Sequence, residues 1–272
     1  MDFENYFIKQ FKSKKIGDDG ALVGGMVYSK DAFFEDVHFK RSWMNHYQVA
    51  AKAMAVNVSD AIAMNAKPKY ALVSVAMPKS ITKEQAGELA RGFLESAAKY
   101  GVEIIGGDTI SNTKLDITIT IISEAKKPLL RKGLRTGYLV AHTGVVGRSA
   151  KELKKVMNLG KLHKKSKFVN IELRERFISK CSRFLKAGMD ISDGIFSDLG
   201  KLSNANGIGV QFYKKIPKNI GCSGEEYEML FGFDKRDKKA LLKHAKLTRT
   251  PVKIIGECVR KNYKNRCKAH HF

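Results

Sequence analysis

The sequence predicts an α/β chain of two domains, on three observations. Strand-like apolar runs alternate with helix-like segments in both halves. A basic, turn-rich stretch, Lys126–Gly137, interrupts that alternation near the middle. One helix, Tyr47–Ala66, is apolar around most of its circumference, which marks a core element rather than a surface one.

The elements follow in order. Phe3, Tyr6, Phe7, Ile8 and Phe11 have the spacing of a short amphipathic helix within Met1–Lys15. The turn IGDDGA leads into a strand at Ala21–Tyr28, and Ser29–Phe39, which mixes acids and aromatics, reads as a loop returning to the sheet. After the central helix, Lys69–Met77 is a strand closed by Pro78. Thr82 and Gln85 form a capping-box signature for a helix to about Tyr100. Val102–Ile105 reads as a short buried strand ending in GGDT, and Leu115–Ser123 alternates as a half-exposed strand does. Beyond the boundary, Tyr138–Val146 reads as a strand, Ser149–Asn158 as a weak helix, Asn170–Lys186 as a helix and GMDISDG as a loop. Ile195–Asn206 is a further helix, and Gly209–Tyr213 and Lys253–Val259 are strands.

Composition bounds the class. At 272 residues, 43% hydrophobic and with 5 Pro, the chain is long enough and apolar enough to bury a sizeable core. No apolar run approaches the roughly 18 residues of a membrane span, and MDFENYFIKQF lacks the order of a signal peptide, so a soluble, cytoplasmic protein is expected. Cys181, Cys222, Cys258 and Cys267 are far apart without a CxxC pair, which fits free thiols better than a disulfide framework or a zinc site. The net charge of +23 invites nucleic acid as a partner. Its Lys-rich pieces, Lys161–Lys167 and Lys235–Lys246, have few interleaved aromatics for stacking bases, so a solvated Lys-biased surface is the better reading.

The chemistry is carried by carboxylates at the ends of apolar segments: Asp18, Asp19, Asp31, Asp60, Asp108, Asp190 and Asp193. Loops at one edge of a sheet share a cleft, and acids gathered there repel unless a divalent cation sits among them. Mg²⁺ suits such all-oxygen ligation together with substrate phosphates, which suggests metal-nucleotide chemistry. Asp60 carries two readings: a buried acid needing compensation, or, with Ser59, the cap of a second short helix. Gly106–Gly107–Asp108 lets backbone approach phosphate oxygens, although a lone GGD is more often a turn. There is no GxxxxGK[ST], GxGxxG or HRD…DFG set, which disfavours P-loop enzymes, Rossmann dehydrogenases and protein kinases. His38, flanked by Val37 and Phe39, reads as a core residue or a site residue.

Taken together, IGDDGAL, SKDAFFEDVHF, AVNVSDAIAMNAKP, IIGGDT, MDISDGIFSDLG and SGEEYEMLF resemble, in that order, the motifs of thiamine-monophosphate kinases. These belong to the superfamily of aminoimidazole ribonucleotide synthetase and selenophosphate synthetase. The resemblance implies an aminoimidazole-ribonucleotide-synthetase-like fold: an N-terminal ATP- and metal-binding sheet domain, 1–132, pairing in a homodimer, and a shortened C-terminal α/β domain, 133–272. It also implies ATP-dependent phosphorylation of thiamine monophosphate to thiamine diphosphate with Mg²⁺. Position by position, Asp19, Asp31, Asp60, Asp108 and Asp190 match metal ligands, Ser29 and Lys30 contribute oxygens nearby, and Asp193 matches a further metal site. Gly107, Asp108, Arg131 and Ser192 match positions around ATP, and His38 and Glu225 match substrate contacts. Asp31, Asp60, Asp108 and Arg131 form the implied catalytic set.

This chain departs from the family pattern at Lys30, where a small or neutral residue is usual, and at SGEE, which replaces GGED. CKAHHF lacks the family's substrate-stacking aromatic, leaving Tyr263, Phe272 or a partner-chain residue for that role. Selenophosphate synthetases rely on a reactive Cys or selenocysteine near the N-terminus, whereas the first Cys here is Cys181. Hydrogenase-maturation relatives end in a functional Cys, and Cys267 is not terminal. An aminoimidazole ribonucleotide synthetase-like enzyme is the alternative within the superfamily, and a non-catalytic basic nucleic-acid-binding protein is the alternative outside it. The second leaves the ordered acids unexplained.

Overall fold

The computed structural model describes residues 3–163 and 165–268. Phe272 lies outside the described residues. In the first half, α1 (Phe3–Ile8) precedes a hairpin of β1 (Ala21–Val23) and β2 (Met26–Phe34). The helix α2 (His46–Ala63), β3 (Lys67–Pro78), α3 (Lys83–Lys99), β4 (Glu103–Asn112) and β5 (Asp116–Glu124) follow. Its five strands are ordered β1-β2-β5-β3-β4, with only the β3–β4 pair parallel.

The second half runs β6 (Leu139–Thr143), α4 (Arg148–Met157), α5 (Glu175–Cys181), β7 (Leu185–Asp190), α6 (Ile195–Asn206), β8 (Gly209–Phe212), α7 (Lys218–Gly221), β9 (Met229–Phe233), α8 (Lys238–Leu247) and β10 (Val252–Val259). Its sheet is antiparallel, ordered β7-β9-β6-β10-β8.

Burial follows from this layering. In β5, Ile117, Ile119 and Ile121 point inward and are fully buried, while alternate residues face out, the period-two pattern of a sheet covered on one face. The central strands β6 and β9 are buried at every position because helices cover both faces of their sheet. Ile195, Phe196, Leu199 and Leu202 of α6 pack on one face. The other face joins Phe177 and Ile178 of α5 and Leu241 of α8 to the core of the first half.

Helix α2 explains its own composition. It packs against α3, the first sheet, β7 and α5, so none of its residues is exposed. Gly92 of α3 allows the close approach, since a Cβ there would meet the Tyr47 carbonyl. Asn45 caps it: its side chain accepts from Gln48 N at 2.9 Å, and Gln48 Oε1 accepts from Asn45 N at 3.1 Å.

Four expectations are corrected. Ser29–Phe34 is strand rather than loop: the β1–β2 hairpin turns at Gly24 and Gly25, and β2 pairs with β5 along its whole length. The strand expected at Val102–Ile105 runs from Glu103 to Asn112 and is mostly exposed, because β4 is the edge of its sheet. Asn170–Lys186 is not one helix: α5 ends at Cys181 and Leu185 begins β7, whose pairing with β9 overrides the helical pattern. Cys222 and Cys267 form a disulfide, whereas Cys181 and Cys258 are free and buried. The chain returning from β10 runs back along α6, anchored by Tyr263 donating to Phe196 O at 3.0 Å, and this brings the two distant thiols together. Among the described residues no helix is long and apolar enough to cross a membrane.

Candidate functional site

Three segments converge above α2: the loop before β1, strand β2, and the end of β7 with the loop after it. Asp60 lies in the last turn of an unbroken α2, so the alternative that Ser59 and Asp60 cap a new helix does not hold. Asn57, one turn earlier, donates to Ala53 O at 2.9 Å and turns its Oδ1 to the Asp31 amide at 2.8 Å. Ser29 is buried beside it, its hydroxyl donating to Asn57 O at 3.4 Å. Ser59 donates to Asp190 Oδ2 at 2.6 Å, fixing the acid that ends β7. Helix α2 thus orients Asp31 and Asp190 while contributing Asp60.

The acids repel one another. Burial, then the charges of Asp31, Asp190 and Asp19, holds the Asp60 carboxyl well above the usual carboxylate range. Burial and then Asp19 do the same to Asp190, against the Ser59 hydrogen bond. Burial raises Asp19 as well, opposed by Arg131. Arg131 donates Nε to Asp19 Oδ1 at 3.1 Å and its backbone N–H to Asp18 Oδ1 at 2.7 Å, which leaves Asp19 Oδ2 buried without a partner. Asn206, at the end of α6, clamps this linker by donating to Arg131 O at 2.7 Å and accepting from Gly133 N and Leu134 N.

Asp19, Asp31, Asp60 and Asp190 are therefore the matched acids that the fold gathers. Asp193 is near but engaged: it accepts from Lys201 at 2.6 Å, and Lys201 also pairs with Asp198, whose carboxyl burial pushes up to about 6. Ser192 is half-buried and its carbonyl accepts from Glu225 N at 2.7 Å. Lys30 points to the other face of β2, where its ammonium donates to Thr118 at 3.2 Å. His38 accepts from Phe34 N at 3.0 Å and stacks on Phe33. Glu225 pairs with Lys52 at 2.7 Å.

Gly107 and Asp108 stand apart from the acids in this chain. Asp31 pairs with Ile119, Ile119 with Val73, and Val73 with Gly107, so three strand spacings, about 14 Å, separate β2 from the GGD segment. Gly107 has a reason of its own: at φ +151° it lets β4 close on β3, and a Cβ there would meet the Val73 carbonyl. Asp108 is exposed, its Oδ1 accepting from Thr109 N at 2.8 Å.

Sequence reasoning missed Lys52, Asn57, Ser59 and the buried pair Glu226 and Glu228. Asn57 and Ser59 had a signal, as polar residues in an apolar helix within one turn of Asp60. EEYE carried one too, as three acids entering an apolar strand. Tyr227 lies between them, and burial followed by Glu225, Asp31 and Asp190 raises its phenol far above the usual value.

No group of three or more His, Cys, Asp or Glu side chains among the described residues is arranged to hold a metal as the side chains stand. The donor set nonetheless suits a hard cation: it is all oxygen, its carboxyls repel one another, and Asp19, though paired with Arg131 through Oδ1, keeps Oδ2 buried without a partner.

A sheet-and-helix half is thus joined through α2 to an antiparallel second half, and the two together gather four acids. Residues 17–125 match the family "AIR synthase related protein, N-terminal domain". The thiamine-monophosphate kinase of Bacillus subtilis is 32% identical over 218 residues, covering 74% of this chain and 67% of that protein. That of Buchnera aphidicola is 31% identical over 264 residues, covering 84% and 79%. The chain belongs to the thiamine-monophosphate kinase family. Its fold is shared with AaThiL complexed with AMPPCP and TMP, at a TM-score of 0.85 and 24% identity over 96% of this chain and 90% of that one. The hydrogenase maturation protein HypE has the same fold at a TM-score of 0.72 and 16% identity over 93% of this chain and 88% of that one, so fold alone does not select the reaction.

Proposed function

We infer that this chain transfers the γ-phosphoryl group of ATP to the phosphate of thiamine monophosphate, giving thiamine diphosphate and ADP. The observation that carries this is identity of 31–33% with thiamine-monophosphate kinases across most of the chain. The same reading divides the chain into an ATP- and metal-binding half, 1–132, and a second half, 133–272. Asp19, Asp31, Asp60 and Asp190 would hold Mg²⁺, with Asp108 and Asp193 serving further ions beside the nucleotide. Mg²⁺ there would neutralise charge on the transferred phosphoryl group and on the leaving oxygen.

The protein's own residues supply position. Asn57 and Ser59 hold Asp31 and Asp190 in place, and Arg131, fixed on Asp19, brings a guanidinium to the phosphate side. Gly107 and Ser192 complete the nucleotide contacts, and Ser29 and Lys30 offer β2 oxygens. His38 and Glu225 face thiamine monophosphate, the Glu225 carboxylate answering the thiazolium charge. Phosphoryl transfer needs no side-chain nucleophile here, because the acceptor is the substrate's own phosphate.

The reading includes a homodimer. The first sheet is covered by helices on one face and leaves Tyr28, Tyr70 and Leu72 exposed on the other, while the edge strand β4 exposes Ile105 and Ile110. An apolar sheet face beside an open edge is suited to a second copy.

Incubation with ATP, Mg²⁺ and thiamine monophosphate tests the activity: ADP and thiamine diphosphate should form in equal amounts. ADP released without thiamine diphosphate would reject the substrate.

A further inference from the structure

Lys52 is a buried charge that this reaction leaves unused. It sits in the apolar body of α2 with its side chain fully enclosed, and its ammonium is 2.7 Å from Glu225 Oε2. The centre of the Phe168 ring is 3.6 Å from the ammonium, and that of Phe33 5.6 Å. An ammonium taken out of water costs several kcal/mol unless charge and ring faces compensate it. Packing alone does not call for a lysine, since methionine would fill the same space among Ala, Val and Met neighbours.

The partner explains the lysine. The Glu225 side chain is 23% exposed against 0% for Lys52, so the pair has one sealed end and one open end. Glu225 is also held in left-handed backbone, φ 53°, a conformation costly for a side chain other than glycine. Three tethers hold it there: its N–H on Ser192 O, its carbonyl accepting from Ser149 Oγ at 2.9 Å, and, for the side chain, its carboxylate on Lys52. The rings around the ammonium are themselves fixed. Phe168 N donates to Glu152 Oε2 at 2.8 Å, and Phe33 stacks on both His38 and Phe39. Lys52 therefore connects the two segments that would face the substrate, the one bearing His38 and the one bearing Glu225.

We propose that Lys52 is the positioning residue of the thiamine-monophosphate site, aiming the Glu225 carboxylate at the substrate's cationic ring from a sealed aromatic seat. This rests on the functional reading above. Pairing with Lys52 tempers the charge of Glu225 but fixes its direction. Direction governs, because a mobile, partly exposed carboxylate gains only about 1 kcal/mol from a cation at 4 Å in water.

The test is a double-mutant cycle of Lys52→Met and Glu225→Gln, read in steady-state kinetics and in denaturant unfolding. Lys52→Met should raise the KM for thiamine monophosphate about tenfold, equivalent to ~1.4 kcal/mol, with a smaller change in kcat and less than a twofold change in the KM for ATP. Adding Glu225→Gln to Lys52→Met should change that KM little, whereas Glu225→Gln alone should raise it. In unfolding, Glu225→Gln alone strands a buried ammonium, so the double variant should be the more stable of the two. An unchanged or lowered KM in Lys52→Met, or independent effects of the two substitutions, overturns this assignment alone. A wild-type protein inert towards thiamine monophosphate overturns the functional reading, and this assignment with it.

Discussion

Replacing Glu228 by glutamine should cost the fold about 3 kcal/mol, at the lower end of the cost of breaking a buried ion pair. The Glu228 side chain is 2% exposed and its two oxygens take four donors. Arg174 Nε and Nη2 each donate at 2.8 Å, Thr143 Oγ1 at 2.7 Å and Lys167 Nζ at 3.1 Å. A glutamine keeps one acceptor oxygen and turns an NH₂ towards the guanidinium, so a fork of two charge-assisted bonds loses its geometry. Arg174 then loses its main counter-charge and Lys167 one of its two. Lys167 retains Glu226 at 2.9 Å, while Arg174 retains only Glu172, whose side chain is 78% exposed, and this places the loss at the lower end rather than the upper.

Urea unfolding at pH 7 measures the effect, and a loss below about 1 kcal/mol would refute the argument that the network is tightly coupled. The pH dependence checks its electrostatic origin. Burial raises the Glu228 carboxyl, but Arg174, Lys167 and Thr143 outweigh it and the net shift is downward from 4.5. A carboxyl lowered on folding contributes stability that is full above its unfolded value and is lost as pH falls through the folded one. The gap between wild type and Glu228→Gln should therefore be constant near neutrality and close below pH 4.5.

Two further outcomes are expected. Asp60 is raised on folding, so its contribution is full below 3.8 and is lost as pH rises through the folded value. Asp60→Asn should accordingly be more stable than wild type at neutral pH, with a gain that shrinks towards acid, and Mg²⁺ should raise its melting temperature less than it raises that of wild type; an unfolded variant would contradict the reading. Reducing the Cys222–Cys267 bond, or Cys222→Ser, opens a loop with a sequence separation of 45 and should cost about 2–4 kcal/mol in denaturant unfolding. No loss would mean that Tyr263 and the stacking of Arg266 on Phe196 and Phe212 hold the tail without it.

The sequence by itself determined what depends on neighbours along the chain. The Thr82–Gln85 capping box begins α3 where expected, Ile195–Asn206 is α6, and the all-round apolar character of α2 marks a helix enclosed on every side. It also determined the family, because short motifs kept in order carry identity without any geometry. Tertiary structure alone decided which acids meet. Asp19, Asp31, Asp60 and Asp190 converge because α2 lies between the two halves, whereas sheet order sets Asp108 about 14 Å across the strands from Asp31. The pairings of Lys52 with Glu225 and of Cys222 with Cys267 span 173 and 45 residues. No local pattern encodes such contacts: they exist only once burial has removed water from between side chains that the chain itself keeps far apart.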